Sequence, residues 1–584
     1  MGGIWSKIPF MAELLINGSF ITLYSLSVMG HLPPELVGVS VEWILEIGSL
    51  IVPIVLFISV ISNYIRSDGF YHFLRKYVFS LIVFIPLVIT WGDVEFALWL
   101  SSAHLIYSIL VLYDVDRETE MDLESVTTLT ISQKKYRNLL QYISLRPAQI
   151  VLLSFIGLIL FGTFLLMLPF SSVTSKSIGL VDSIFTATSA TCVTGLNTLS
   201  LQDNFSLFGQ LVILALIQIG GLGIMTLSSS MTILLGRSMG MRDRIIMQDL
   251  LDVSSMEGLI SLILDIIKYT FLIELWGAII LTVAFTFEGY EFGDALYYGF
   301  FHSISAFCNA GFSLFNTSLE SYATNPMIHG TVAVLVTLGG LGFIVLREMK
   351  EVIVSRRSLV RIGLHTKIVL ITSFALIVLG ALFIFFGEFL NALDGYTLWE
   401  KVQISLFQSI TLRTAGFNTI PIPGLHTYTI YVMALFMFIG ASPGSTGGGI
   451  KTTTLAILFY SIKSTLKGRQ EITIFDRAIS SGIVVRATAL TFISILITSF
   501  FILVMIRLEG NQSFLTIFFE VISASGTVGL SLGITPYLTL AGKLAISLVM
   551  FIGRIGPLTL VLALGQRIRS GGKIEYPDGR IMIG

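Results

Sequence analysis

The sequence predicts an all-α polytopic membrane protein, with four pseudo-symmetric helix–pore-loop–helix repeats around a central pore and an N-terminal block of about four further transmembrane helices. Three observations carry this. The 584 residues are 54% hydrophobic and 12% charged, about half the charge of a soluble domain. The apolar stretches are continuous rather than alternating, which is the pattern of spanning helices and not of a barrel. A glycine-bearing motif recurs four times, its glycines roughly 110 residues apart, which marks internal duplication.

The chain opens with apolar runs at about 8–29, 41–61, 77–91 and 94–115, each near the ~20 residues that a spanning helix needs. No small-residue cleavage site is visible, so this block (1–115) is expected to be retained. A charged segment follows, and 116–147 is expected to be a cytoplasmic linker. Repeat 1 then occupies 148–245, repeat 2 246–360, repeat 3 361–475 and repeat 4 476–566, with a tail at 567–584. Each repeat reads as spanning helix, short helix, loop, spanning helix. The short helices are expected at 179–189, 293–305, 397–410 and 514–523, too short to cross a bilayer and therefore re-entrant. The second spanning helices are expected at 208–235, 327–346, 428–462 (interrupted) and 544–564. A Phe stands ten residues before the glycine in three copies (Phe185, Phe301, Phe519) and nine before it in the third (Phe407). The third copy has therefore lost a residue.

Orientation follows from Lys and Arg. The loops between repeats and the tail are basic, whereas the loops beside the short helices carry Asp182, Asp203, Glu288, Glu291, Asp294 and Glu320. This places the glycine loops outside and both termini in the cytoplasm of a plasma (bacterial inner) membrane. The net charge of −1 gives no reason to expect nucleic acid. The seven histidines do not cluster, and no metal-ligand spacing, nucleophile elbow or acid/base pair stands out, so no enzyme is expected. Cys192 and Cys308 occupy equivalent places and are read as small filler side chains.

The chemistry lies in the loops. Their triplets are Val193, Thr194 and Gly195; Asn309, Ala310 and Gly311; Thr414, Ala415 and Gly416; and Thr527, Val528 and Gly529. Four of them around one axis would present backbone carbonyls to a dehydrated cation, with glycine supplying the backbone freedom. The C-terminal ends of the short helices would add negative partial charge. No carboxylate ring stands at these positions, which favours a monovalent ion. Thr-Val-Gly is similar to a potassium-channel filter. With Thr-Ala-Gly-Phe-Asn-Thr (Thr414–Thr419) and Cys-Asn-Ala-Gly-Phe-Ser (Cys308–Ser313), the four units resemble the Trk/Ktr/HKT superfamily of potassium uptake proteins, most closely its Ktr-type translocating subunit, from about residue 148 to 584. The resemblance implies potassium as transported ion, with sodium second. Glycine at all four positions goes in that family with potassium preference. It also implies a homodimer, with the tail Tyr576–Gly584 at the dimer interface, and a separate cytoplasmic nucleotide-binding regulatory ring. The first ~140 residues have no counterpart in the family core.

The gate candidate is the break at 440–451, with Gly440, Ser442, Gly444, Ser445, Thr446, Gly447, Gly448, Gly449 and Lys451. So many glycines beside Pro443 cannot continue a helix. The resemblance implies an intramembrane gating loop here, with an arginine of the last helix, matching Arg554, beside it. Corresponding glycines occur at Gly220, Gly339 and Gly553. Two other readings stand beside this one. A phosphate loop is disfavoured because Ile450 separates glycine from lysine and the flanks are membrane helices. The break could also be a packing kink with Arg554 structural, but an intramembrane charge is functional by default. Asp265 and Lys268 are expected to pair, Glu520 and His302 to anchor filters, and Arg413 to brace its loop. The alternative function is a sodium- or proton-coupled secondary cation transporter. All four repeats share one orientation, which argues against inverted repeats.

Overall fold

The computed structural model describes residues 147–223 (175 excepted), 226, 259–354, 362–469 and 471–556, with scattered positions between 17 and 55. Most of the expected N-terminal helices, the linker up to 146, the basic segments at 237–244 and 356–361, and the tail lie outside the described residues. Contacts divide the chain into Met1–Ser144 and Leu145–Gly584. In the first unit, β1 (Glu35–Leu36) pairs antiparallel with β2 (Val39–Ser40).

The second unit is built from helices. Repeat 1 contains α1 (Pro147–Met167), α2 (Leu180–Thr191) and α3 (Leu207–Leu222). Repeat 2 contains α4 (Leu259–Phe287), α5 (Phe292–Phe307), α6 (Pro326–Leu341) and α7 (Phe343–Val354). Repeat 3 contains α8 (Leu364–Glu388), α9 (Leu398–Thr411), α10 (Thr427–Phe438) and α11 (Thr452–Leu466). Repeat 4 contains α12 (Ser481–Leu508), α13 (Phe514–Gly526) and α14 (Leu540–Ile555). Among the described residues, α1, α4, α8 and α12 are long and apolar enough to cross a membrane. The short helices α2, α5, α9 and α13 have 12 to 16 residues. At 1.5 Å per residue they reach about 18–24 Å, short of a ~30 Å hydrocarbon core.

Local sequence sets the boundaries. Thr397 and Glu400 form a capping box at the start of α9, satisfying two otherwise orphan N–H groups. Ser206, Asn325, Ser513 and Thr539 cap α3, α6, α13 and α14 with their side chains. Stops are glycines. α3, α6 and α14 end at Gly223, Gly342 and Gly556, with φ of 82°, 94° and 86°. The sequence led us to expect helices running through the first two of these glycines and through Gly556. Instead each terminates there, and α6 and α7 meet at 104°. Apolarity continues past each glycine, so hydropathy alone does not reveal the stop. The all-helical expectation also misses a hairpin of β3 (Ile472–Ile474) and β4 (Arg477–Ile479). Phe475 and Asp476 turn it with φ of 48° and 59°, the positive values of a tight hairpin turn.

The core joins the repeats. One cluster packs repeats 1 and 4 with part of repeat 2, including Phe185, Ile213, Phe301, Ile517 and Val549. A second joins repeats 2 and 3 through Phe307, Val332, Phe407 and Phe417. A third joins 3 and 4 through Leu412, Met437 and Phe519. Phe185, Phe301, Phe407 and Phe519, the recurrent Phe of the four copies, are all at most 2% exposed. Large apolar side chains such as Leu160, Trp276, Phe374 and Phe500 are exposed instead. That distribution suits a lipid-facing surface, where close packing rather than the hydrophobic effect holds helices together.

Candidate functional site

The glycines of the four loop triplets meet. A Cβ on Gly195 would lie 3.1 Å from Gly311 Cα, one on Gly311 2.9 Å from Gly416 Cα, one on Gly416 3.4 Å from Gly529 Cα, and one on Gly529 3.1 Å from Gly195 Cα. The contacts close a ring in the order of the repeats. Each glycine also faces the carbonyl before the next glycine: Ala310 O, Ala415 O, Val528 O and Thr194 O in turn. The backbone repeats as well. All four glycines have φ between 68° and 96°, and the residue two before each, Val193, Asn309, Thr414 or Thr527, has φ between 52° and 67°. The residue between them is not left-handed. Alternating the sign of φ turns successive carbonyls toward the same side, the arrangement that replaces an ion's water shell.

The short helices hold these loops from behind. Thr194 N, Ala310 N and Val528 N donate to Ser189 O, Ser305 O and Ser523 O at 2.7 to 2.8 Å, while Ala415 N donates to Thr411 O at 3.0 Å. The third bond spans one residue fewer, at the place where that copy is shorter. Ser189 Oγ and Ser523 Oγ also accept from Gly195 N and Gly529 N, both at 3.1 Å. Asn309 donates to Ala306 O and Val336 O and accepts from Thr414 Oγ1 at 3.3 Å, tying the second filter to the third. Arg413 is 7% exposed, and its Nε and Nη2 have no hydrogen-bond partner among the described residues. Both cysteines are buried free thiols.

On one side the ring opens into a cavity of about 320 Å³ lined by all four glycines together with Asn197, Asn316, Glu320, Asn418 and Ser531. Glu320 accepts from Asn418 Nδ2 at 2.6 Å. Burial pushes its carboxyl above the ordinary range, partly offset by that bond.

The loop at 440–451 packs against the ring from another direction. Gly440 N donates to Ile450 O at 2.8 Å and Ser442 N to Gly340 O at 3.0 Å. Thr446 Oγ1 donates to Phe307 O at 3.2 Å, and Gly448 N to Thr527 Oγ1 at 3.2 Å. A Cβ on Gly447 or Gly448 would strike Thr414 or Thr527, both filter residues. Gly444 and Gly449 have φ of 64° and 69°. Ser445 Oγ donates to Ser442 O at 2.6 Å, and Lys451 Nζ to Gly447 O at 2.8 Å. Arg554 reaches from α14 to Thr446 O of the loop and to Gly220 O and Gly221 O at the end of α3. It thereby ties the loop to repeats 1 and 4. The close contact with Thr414 and Thr527 is a feature that glycine content alone does not reveal.

Other charges settle differently from the sequence reading. Asp265 meets Arg347 at 3.7 Å rather than Lys268. Glu274 accepts from Gln218 Nε2 at 3.1 Å. Lys543, not singled out by the sequence, pairs with Asp182 at 2.6 Å and joins α14 to α2. No sequence spacing links those two residues; only the ring closure brings them together.

Comparison with known proteins follows from this geometry. The family model described as TrkH, cation transport protein, matches residues 125–571. The chain is 38% identical over 447 residues to the Ktr system potassium uptake protein B of Bacillus subtilis, covering 76% of this chain and 98% of that one. It is 37% identical over 462 residues to the potassium/sodium uptake protein NtpJ of Enterococcus hirae, covering 78% and 100%. The crystal structure of the potassium transporter TrkH from Vibrio parahaemolyticus superposes with a TM-score of 0.57 at 18% identity, covering 88% of this chain and 97% of that chain.

Proposed function

Because the chain belongs to the TrkH family of cation transport proteins, we propose that it conducts potassium across the membrane through the ring of Gly195, Gly311, Gly416 and Gly529. The observation that carries this reading is the closed ring of four left-handed glycines, each facing the carbonyl before the next. In this reading the carbonyls of Val193, Thr194, Asn309, Ala310, Thr414, Ala415, Thr527 and Val528 join those of the glycines in coordinating the ion. The cavity with Glu320 is the outer mouth, where a carboxylate raises the local cation concentration. The loop 440–451 is the gate. Arg554 holds it against the filter and places a positive charge in the path, which repels a cation in a low-dielectric setting. In this reading the chain works as a homodimer with a separate cytoplasmic regulatory partner; the naming of a relative as one protein of a Ktr system supports the separate partner, and the basic inter-repeat loops support cytoplasmic termini.

Purified chain in potassium-loaded and sodium-loaded liposomes tests this. Potassium flux exceeding sodium flux is expected. Equal flux of both ions, or none in folded protein, would sink the reading. NtpJ, named for both ions, keeps sodium as the second candidate, and the same competition decides between them.

A further inference from the structure

We propose that Glu520 and His302 are positioning residues that hold the fourth and second filter loops in their ion-selective shape. This rests on the reading of the ring as a filter. The two residues occupy the same place, nine before the filter glycine on their short helices. Each reaches the serine two residues after that glycine. Ser531 Oγ donates to Glu520 Oε2 at 2.7 Å, and Thr535 Oγ1 donates to Glu520 Oε1. His302 Nε2 meets Ser313 Oγ at 3.0 Å and accepts from Leu314 N at 3.4 Å. Its Nδ1 lies 2.8 Å from Tyr298 O and carries the proton. Phe315 stacks on the imidazole at 4.9 Å. Glu520 and His302 are both fully buried.

Repeats 1 and 3 lack this link. Their equivalent residues are Thr186 and Gln408. The Gln408 amide finds no partner among the described residues, and Asn418, the residue two after Gly416, bonds Glu320 instead. In the ring, Gly311 and Gly529 each neighbour Gly195 and Gly416, so repeats 2 and 4 stand opposite one another. Two facing loops are therefore pinned to their short helices on the far side of the glycine, and the other two are not. A carbonyl filter discriminates between ions by where its oxygens stay. Each filter segment is already held before its glycine by the bond to Ser305 O or Ser523 O. The Glu520 and His302 contacts fix the other end. A loop fixed at both ends cannot contract around a smaller ion.

The test compares potassium and sodium flux in liposomes for the unchanged chain, Glu520→Met, Ser531→Ala and the double variant. Each single change is expected to raise the sodium-to-potassium ratio about fivefold, the factor that losing one hydrogen bond produces. The double variant should go no further than either single one, because both break the same link. His302→Asn should raise the ratio in the same direction. A ratio within twofold of the unchanged chain in variants that elute and melt like it overturns the proposal, as does a multiplicative effect in the double variant. If Glu520→Met does not fold, Ser531→Ala and Thr535→Val carry the same test. Absence of potassium selectivity in the unchanged chain would bring down the filter reading itself. Selectivity retained by chain and variants alike would bring down only the braces.

Discussion

At the scale of single residues, two constraints coincide at each filter glycine. Gly529 has φ of 96°, and a Cβ there would strike Thr194 O and sit 3.1 Å from Gly195 Cα. Alanine therefore meets a forbidden backbone region and a neighbouring main chain that has nowhere to go. Gly529→Ala should lower potassium flux at least tenfold while the protein still inserts, which liposome uptake normalised to reconstituted protein will report. Val193, Asn309, Thr414 and Thr527 are left-handed without being glycine, each at a cost of order 1 kcal/mol. The bonds from the next N–H to the short helix offset that cost. Glu320 supplies a second prediction. Its folded value is raised, so folding favours the neutral acid. Its contribution to stability is complete below the ordinary carboxyl value and is lost as pH rises through the folded one. Function runs the other way, because protonation removes the charge at the mouth. Uptake at low ionic strength should fall as the outer pH drops toward and below that raised value. Glu320→Gln should abolish that part of the pH profile and lower uptake at neutral pH. A profile unchanged by the substitution would remove Glu320 from the mouth.

At the scale of elements, the loop 440–451 is tied to repeat 2 through Ser442 N and Thr446 Oγ1 and to Thr527 through Gly448 N. Arg554 adds one bond to the loop, at Thr446 O, and reaches Gly220 O and Gly221 O of α3 with the others. Arg554→Ala unties the loop from α14 and α3 and removes a positive charge in one step. Potassium flux should rise severalfold, and deletion within 442–449 should do the same. Unchanged or lower flux in folded variants would leave Arg554 a helix tie and nothing more. Elements were legible where the signal is local. Continuous apolar runs marked the long spanning helix that opens each repeat, and the shortened third copy shows in both the Phe407 spacing and the Ala415 bond. Elements were not legible where apolarity outlasts the helix. Gly342 ends α6 within a run that stays hydrophobic, because a left-handed glycine stops a helix without any change in polarity. Partners across repeats were hidden for a different reason. Asp182 and Lys543 pair only because the first and last repeats become neighbours, and Asp265 faces Arg347 because α7 folds back at 104° from α6. The Glu520 and His302 anchors were legible, since a polar residue on an otherwise apolar short helix needs a partner.

At the scale of the whole molecule, the ring makes the repeats depend on one another. Every glycine touches the loop of the next repeat, and the three largest core clusters each span at least two repeats. No single repeat can close a pore or bury its own recurrent Phe. Contacts divide the chain into Met1–Ser144 and Leu145–Gly584, and the ring lies within the second unit. The Bacillus subtilis relative is covered over 98% of its length by an alignment spanning 447 residues of this chain. The family match begins at residue 125, so most of the first unit lies outside it, and the ring, the braces and the loop all lie beyond residue 144. A chain beginning at Leu145 should therefore reach the membrane and take up potassium with the same preference over sodium. Expression in cells lacking their own potassium uptake, grown at low potassium, reads this directly, with liposome flux as the check. Growth rescued by the full chain and by the shortened one assigns the first unit a role outside conduction. Rescue by the full chain alone, with the shortened protein present in the membrane, would mean that uptake requires Met1–Ser144.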